Sequence, residues 1–197
     1  MQQQTFHWHI LGAGSIGLLF AYHLSKAGHN VTLIGRQKNL QDAVITANIA
    51  GKKHQQTLNL SNSENCQAIK LLLITVKAFD TQKALQSVAH ALTADSQVFV
   101  LQNGLGQLAG LNQISAATIH SAITQAASVK TGPLSFTEHA KGQTFLPQSA
   151  KPLCNSGAFE CDVPITVLKN FTEMQWQKLA ANAVINPLTA IENCLNG

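Results

Sequence analysis

Residues 6–17 have the sequence F-H-W-H-I-L-G-A-G-S-I-G, an apolar run that leads directly into three closely spaced glycines. The run predicts a strand over residues 6–11, and the apolar spacing after it predicts a helix over 15–27 that ends at Gly28. Residues 31–34, V-T-L-I, predict a second short strand. A strand, a glycine-rich turn, a helix and another strand within about 30 residues are the context in which G-x-G-x-x-G predicts a Rossmann-type dinucleotide site.

The three glycines of this turn have separate expected roles in holding a dinucleotide. Gly12 permits the tight turn, Gly14 lets a pyrophosphate approach the backbone, and Gly17 lets the helix pack closely against the strand. The start of the helix adds free N–H groups and the positive end of the helix dipole. The alternative is a glycine-rich turn without a ligand, which the surrounding strands and helix disfavour.

The rest of the chain alternates between predicted strands and helices, which predicts an α/β fold with a doubly wound, mostly parallel sheet. The apolar run at residues 70–76 is typical of a strand that is buried on both faces. From residue 117 to about 149, Thr, Ser, Val and Phe with turns at Gly132 and Gly142 predict antiparallel strands appended to that sheet. The other predicted elements are a hairpin or two short strands over 43–60, a helix over 79–93, a strand over 98–101, a loop over 150–164 and a helix from Thr172.

The composition limits the classes of protein to which the chain can belong. Its 197 residues give room for one full domain and part of another, and 45% apolar residues exclude a disordered tail. Lysines and arginines are scattered, so the net charge of +4 does not indicate a nucleic-acid partner. The sequence lacks the uninterrupted apolar run of about 18 residues that would predict a membrane span. The four cysteines form no C-x-x-C pair, which predicts no metal site and a reduced, cytoplasmic setting.

The residues after the second strand indicate which dinucleotide is bound. NAD-binding units carry an Asp or Glu about 20 residues beyond the glycines, where it binds the ribose 2′-hydroxyl. This chain has Gly35 and Arg36 at that place, with no carboxylate between Gly17 and Asp42. A guanidinium suits a 2′-phosphate by its charge and by paired hydrogen bonds, so NADP is favoured over NAD. A solvated surface arginine is the alternative.

Two further polar residues follow predicted strands, at the edge where ligands of such sheets bind. Lys77 follows the strand at 70–76 and is a candidate for a phosphate or ribose contact. Asn103 follows the strand at 98–101 and is a candidate for contact with the nicotinamide ribose or the substrate. For each residue alone, a solvated lysine or an asparagine that caps a turn is the simpler interpretation.

The last predicted helix carries a stripe of polar residues. Lys178, Asn182 and Asn186 recur every four residues, so they share one side of the helix, opposite an apolar side that includes Trp176. One cation and two amides among apolar neighbours predict a recognition face for a small carboxylate or carbonyl compound. The solvated face of an amphipathic helix is the alternative, although asparagine is a poor helix former. Pro187 predicts a kink or break in this helix.

Four motifs make the chain resemble the ketopantoate reductase (2-dehydropantoate 2-reductase) family. They are G-A-G-S-I-G at 12–17, T-V-K-A at 75–78, Q-N-G-L-G at 102–106 and, most distinctive, K-L-A-A-N-A-V-I-N-P-L-T-A at 178–190. The resemblance implies a Rossmann domain that binds NADPH. It also implies reduction of ketopantoate to pantoate, a step toward pantothenate and coenzyme A.

The same resemblance implies a role for each matching residue. Lys178 would be the catalytic acid that protonates the keto oxygen as a hydride reaches the neighbouring carbon. The residues implied to bind NADPH are Gly12, Ala13, Gly14, Ser15, Ile16, Gly17, Arg36, Lys77, Asn103 and Ala127, and those implied to bind the substrate are Lys178, Asn182, Asn186 and Asn196.

Three features depart from the family. Asp80 stands where a polar uncharged residue is expected, and Gln125 stands where a histidine is common. The family continues beyond the length of this chain into a helical domain. We therefore expect residues 1–168 to form an NADP-binding domain and residues 169–197 to form the truncated start of an all-helical domain.

Other functions remain open from the sequence. The chain is alternatively a non-catalytic NADP-binding module, a truncated gene product, or part of a reductase of another small 2-keto acid. The expected partner is a small 2-keto acid, with neither a nucleic acid nor a membrane. The residues do not distinguish a monomer from a homodimer.

Overall fold

The computed structural model of the chain describes residues 4–35, 43–102, 108 and 110–192. Its α-helices are α1 (Ser15–Lys26), α2 (Thr81–Val88), α3 (Lys151–Asn155) and α4 (Phe171–Ile191). Its strands are β1 (His7–Leu11), β2 (Asn30–Ile34), β3 (Ala43–Ile49), β4 (Lys52–Ser61), β5 (Ile69–Ile74), β6 (Leu92–Leu101), β7 (Thr118–Thr124), β8 (Ala127–Gly132), β9 (Ser135–Ala140), β10 (Thr144–Pro147) and β11 (Ile165–Leu168).

The described strands form one sheet whose middle is parallel. Their order is β11-β10-β7-β6-β5-β1-β2-β4-β3-β9-β8. From β7 to β4, every pair of neighbours in this order is parallel. The chain proceeds from β1 to β2 on one side and to β5 on the other, which makes the end of β1 a switch point of the sheet.

Helices α1 and α2 cover opposite faces of this sheet. Trp8 and Ile10 of β1 share a buried cluster with Leu18 of α1. Leu11, the next residue of β1, shares a separate cluster with Leu85 of α2. Because successive side chains of a strand point to opposite faces, the two clusters lie on the two sides of β1. The predicted α/β fold with a doubly wound, mostly parallel sheet is therefore confirmed.

The predicted helix over 79–93 is too long. Helix α2 ends at Val88 and strand β6 begins at Leu92. Leu92 pairs with Ile69 of β5, and the buried Ser96 hydroxyl donates a hydrogen bond of 2.5 Å to the Ile69 carbonyl. Pairing with a strand distant in sequence thus overrides the local helical pattern.

The strands after residue 117 follow the prediction only in part. β7 runs parallel to β6 and extends the central sheet, contrary to the antiparallel arrangement expected there. β8 and β9 do form an antiparallel hairpin with its turn after Gly132, and β10 runs antiparallel to β7. The predicted hairpin over 43–60 is confirmed as β3 and β4. The predicted loop over 150–164 contains the short helix α3.

Helix α4 continues through Pro187 to Ile191, so of the kink or break predicted there the break is wrong. Proline removes one backbone donor, but hydrogen bonds that span and follow it are still made. After Pro187, the Thr189 hydroxyl donates to the Ile185 carbonyl at 3.0 Å and the Glu192 N–H donates to the Leu188 carbonyl at 2.9 Å. None of the helices in the described part of the chain has both the length and the hydropathy needed to cross a bilayer.

Candidate active site

The carboxyl ends of the parallel strands meet at one edge of the sheet, where the structure has a cavity of about 710 Å³. The turns after β1, β2 and β5 all contribute to its wall. Open parallel sheets bind ligands at such a switch point. The lining residues are Leu11, Gly12, Ala13, Gly14, Leu33, Ile34, Gly35, Leu60, Ser61, Ser63, Thr75, Val76, Lys77, Asp80, Lys83, Ala84, Ser87, Lys130, Pro133 and Leu134.

The three glycines after β1 meet three different steric requirements. Gly12 has a φ of +120°, which residues with a side chain rarely adopt. A Cβ on Gly17 would lie 1.9 Å from the Gly12 carbonyl oxygen, so helix α1 packs too closely on the turn for any side chain. A Cβ on Gly14 would have no protein atom within 4 Å, because this glycine borders the cavity. Gly14 therefore leaves space for a ligand.

Helix α1 begins at this turn with its N-terminus uncapped by any side chain. Gly14 is the N-cap residue and the first turn contains no acidic residue. The N–H groups of the first turn are thus left for a ligand, and the positive end of the helix dipole is not neutralised. Ser15 and Ile16 lie half-buried in that turn, beside the cavity-lining Gly14. These features fit a phosphate group.

Most of the charged side chains that line the cavity are positive. Lys77 follows β5, Lys83 lies on α2 and Lys130 lies on β8, against the single carboxylate of Asp80. Three ammonium groups around one cavity favour a ligand with several negative charges. Lys77 was a sequence candidate, whereas no motif marked Lys83 or Lys130, because their sequence neighbours are ordinary for a helix and a strand.

The wall of the cavity at the end of β2 is formed by Gly35, Ser61 and Ser63. The Gly35 N–H donates to the Ser61 carbonyl at 3.0 Å, which joins the ends of β2 and β4. Arg36, the residue expected to bind a 2′-phosphate, follows directly but lies outside the described residues.

Lys178 on α4 is fixed at the carboxyl end of β7. Its Nζ donates a hydrogen bond to the backbone carbonyl of Thr124, the last residue of that strand. Gln175, one turn earlier, donates from Nε2 to the Ser121 hydroxyl at 3.1 Å and so fixes the helix against β7. Burial lowers the pKa of the Lys178 ammonium below its usual value. The structure thus holds a partly buried amine with a lowered pKa at the ligand-binding edge of the sheet.

Two residues of the polar stripe on α4 are more buried than most of the apolar residues opposite them. Lys178 and Asn182 are half-buried, whereas Trp176 is 60%, Val184 60% and Leu188 54% exposed. A solvated amphipathic helix has the reverse orientation, so that alternative does not describe α4. The side chain of Asn186 lies outside the described part of the structure.

Gln102, which the sequence marked only as the first residue of the Q-N-G-L-G motif, links two strand ends through its side chain. Its side-chain amide donates to the Val76 carbonyl at 3.2 Å and to the Thr81 hydroxyl. The Thr81 hydroxyl in turn donates to the Lys77 carbonyl at 3.3 Å. This chain of hydrogen bonds ties the end of β6 to the segment that carries Lys77. Only the fold could reveal it, since the partners are 21 and 26 residues from Gln102 in sequence.

The structure brings together part of the set of residues expected from the sequence. Gly12, Ala13, Gly14 and Lys77 line one cavity. Lys178 contacts the carboxyl end of β7, at the same edge of the sheet, and Ala127 is the first residue of β8, but neither lines that cavity. Asn103 and Asn196 lie, like Arg36, outside the described residues.

Comparison with known proteins identifies a matching family. A protein-family model described as "Ketopantoate reductase PanE/ApbA" matches residues 8–151. The chain is similar to the 2-dehydropantoate 2-reductases of Vibrio cholerae, at 32% identity over 198 residues, and of Salmonella typhimurium, at 30% identity over 194 residues. These alignments cover 95% of this chain but 64% and 63% of the two relatives, so the chain spans less than two thirds of their length.

A solved structure shares the architecture. The crystal structure of a PanE/ApbA family ketopantoate reductase from Ralstonia eutropha matches with a TM-score of 0.84 at 27% identity. The match covers 95% of this chain and 64% of that one. The similarity in fold and the family match therefore agree over most of the chain.

Proposed function

The chain belongs to the PanE/ApbA ketopantoate reductase family, and we propose that it supplies the cofactor site and the catalytic lysine of an NADPH-dependent 2-dehydropantoate 2-reductase. The reaction is the reduction of ketopantoate to pantoate, toward pantothenate and coenzyme A, in the cytoplasm. The curated relatives from Vibrio cholerae and Salmonella typhimurium, which are named for this activity, support the proposed reaction.

One contact supports the proposal most directly. Lys178 donates a hydrogen bond to the carbonyl of Thr124, at the sheet edge that also carries the glycine-rich cavity. An amine on a helix rarely lies half-buried at a strand end unless it is needed there, because burial disfavours its charge. A catalytic acid for a substrate at this edge explains its position.

The cavity residues fit a dinucleotide with an additional phosphate. We propose that the turn from Gly12 to Gly17 holds the pyrophosphate, that Arg36 holds the 2′-phosphate, and that Lys77 and Asn103 contact the remaining parts of the nucleotide. Ala127 would lie at the nicotinamide end. The open space at Gly14, the uncapped start of α1 and the three lysines support this assignment.

The proposed chemistry places a proton donor next to a developing negative charge. When bound, NADPH supplies the hydride for the keto carbon. Lys178 stabilises the charge that grows on the keto oxygen and gives that oxygen a proton from its ammonium. An ammonium has three N–H donors, of which Thr124 accepts one, so the others can serve the substrate. The lowered pKa makes Lys178 a better acid near working pH, and its acid form is lost as the pH rises through that lowered value.

The proposed substrate contacts continue along α4. Asn182 and Asn186, one and two turns after Lys178, would bind the polar groups of the substrate, together with Asn196. We assign residues 1–168 to a cofactor-binding domain and residues 169–197 to the beginning of a helical substrate domain. The exposed apolar side of α4, at Trp176, Val184 and Leu188, supports a packing partner for this helix.

The test is NADPH oxidation with ketopantoate, measured for wild type, Lys178→Ala and the control Lys169→Ala in a form that spans the full length of the curated relatives. For the 197-residue chain alone we expect weak or no reductase activity. Lys169 is exposed just before α4 and carries the same charge. We expect Lys178→Ala to slow ketopantoate-dependent oxidation by at least about 100-fold, the usual contribution of general acid catalysis, with little change in the Kd for NADPH. Lys169→Ala should behave like the wild type.

Three results would contradict parts of this proposal. Equal rates for Lys178→Ala and wild type would remove this lysine from the mechanism. Faster turnover of another small 2-keto acid would move the proposal to that substrate. NADPH binding without turnover of any keto acid would favour a non-catalytic NADP-binding module.

A further inference from the structure

The β8–β9 hairpin reaches the cofactor cavity although it is the last pair of strands at one end of the sheet. Lys130 of β8 donates from Nζ to the backbone carbonyl of Ala13 at 2.8 Å, across 117 residues of sequence. Lys130 lines the cavity, as do Pro133 and Leu134 at the tip of the same hairpin. The hairpin therefore forms part of the wall around the glycine-rich turn.

Buried contacts with α1 fix the position of this hairpin. Glu138 of β9 accepts a 2.5 Å hydrogen bond from His23 of α1, and both side chains are buried. The ring of Phe136, also on β9, packs edge-on against Tyr22 with centroids 6.0 Å apart. Since β8 pairs with β9, the backbone of Lys130 is held in place relative to the start of α1. The contact with Ala13 is thus built into the fold.

The chemistry of the contact indicates a role beyond holding the hairpin. Lys130 is exposed, and a solvated ammonium gains little from one neutral carbonyl. Ala13 lies between Gly12 and Gly14, at the point of the turn where phosphate oxygens approach the backbone. An ammonium held there by one N–H has two further donors for phosphate oxygens. Lys77, which follows β5, and Lys83, which lies on α2, line the cavity from a different part of the chain.

From this geometry we infer that Lys130 binds the diphosphate bridge of the dinucleotide, as a cation supplied by the β8–β9 hairpin. The inference rests on the proposed function, because it needs a dinucleotide in the cavity. It assigns the contact to the diphosphate that NADPH and NADH share, and not to the 2′-phosphate that only NADPH carries.

The experiment is calorimetric titration of the wild-type chain, Lys130→Gln and Lys53→Gln with NADPH, NADH and 2′-AMP. Lys53 is an exposed lysine on β4 outside the cavity lining, so its variant loses the same charge. We expect Lys130→Gln to weaken the binding of NADPH and of NADH by the same factor, about 10- to 100-fold, the range for losing a hydrogen bond to a charged group. The affinity for 2′-AMP, which lacks the diphosphate, should stay within about twofold. Lys130→Arg keeps the cation and should recover most of the affinity.

The contrary results separate a failure of the Lys130 inference from a failure of the proposed cofactor site. If Lys130→Gln lowered the affinity for NADPH but not for NADH, Lys130 would be assigned to the 2′-phosphate and the inference would be overturned. Unchanged dinucleotide affinity in Lys130→Gln, or an equal loss in Lys53→Gln, would also overturn it while leaving the proposed function intact. If the wild-type chain binds neither dinucleotide, the proposed cofactor site fails, and the inference fails with it.

Discussion

Gly14 and Gly17 belong to the same six-residue motif, but a side chain at each position would meet a different environment. At Gly17, any Cβ would collide with the Gly12 carbonyl, which is backbone and cannot move aside cheaply. At Gly14, a Cβ would enter open space at the cavity. Packing thus requires a glycine at position 17, whereas it leaves space for a side chain at position 14.

The two positions should separate stability from cofactor binding. Gly17→Ala is expected to lower the free energy of unfolding by about 1–3 kcal/mol, since an added methyl overpacks the junction between β1 and α1. Gly14→Asp should leave stability unchanged or slightly higher, because aspartate is a good N-cap and favours the helix dipole. The same carboxylate should repel phosphates and weaken the binding of NADPH by more than about 100-fold.

Urea unfolding and NADPH titration of both variants would measure these effects. The interpretation of Gly14 as a ligand-facing position would be wrong if Gly14→Asp bound NADPH as tightly as the wild type. The packing argument for Gly17 would be wrong if its alanine variant unfolded at the wild-type urea concentration.

At the scale of the secondary-structure elements, a buried polar pair joins the β8–β9 hairpin to α1. His23 on α1 is fully buried and its Nε2 lies 2.5 Å from a carboxylate oxygen of Glu138 on β9. Removing the carboxylate would leave the imidazole without this partner in the interior, and an unsatisfied buried group costs free energy. The contact between the two elements is therefore expected to contribute to the stability of the whole chain.

Glu138→Ala should lower the free energy of unfolding by about 1–3 kcal/mol. Glu64→Ala removes the same charge from an exposed position and serves as the control, with an expected change within about 0.5 kcal/mol. Urea unfolding of the two variants would compare them. Equal losses would show that the His23–Glu138 pair does not stabilise the hairpin.

Elements whose patterns are local were predicted well, and elements defined by distant partners were not. The strand, turn and helix from β1 to α1 follow from apolar spacing and glycines within 20 residues, apart from a one-residue difference at each end. The start of β6 at Leu92 and the parallel direction of β7 depend on strands elsewhere in the chain. Apolar spacing along one segment cannot reveal which strand it will pair with, or in which direction.

If the cavity binds NADPH, the cofactor should raise the thermal stability of the whole chain. A ligand that binds only the folded state at 100 times its Kd adds about 2.7 kcal/mol to stability. For a chain of this size that corresponds to a rise in Tm of about 5–10 °C. NADH at the same concentration should raise Tm less, because it lacks the 2′-phosphate proposed to bind Arg36.

Thermal unfolding followed by circular dichroism, with each dinucleotide in turn and with none, would measure the shifts. Arg36→Gln is the matched variant, and it should reduce the NADPH shift to the size of the NADH shift. Equal shifts for the two dinucleotides in the wild-type chain would contradict the assignment of Arg36 to the 2′-phosphate.

The amino-acid sequence was sufficient for the fold class, the glycine-rich turn and the polar stripe from Lys178 to Asn186, because each is a pattern of neighbouring residues. The contact of Lys130 with Ala13, the burial of His23 with Glu138, and the inward orientation of the polar side of α4 needed the folded chain. These contacts join residues up to 117 positions apart. Their formation depends on which strands pair and which faces pack. The free energy of pairing and packing arises between segments that are distant in sequence, so no single segment determines it.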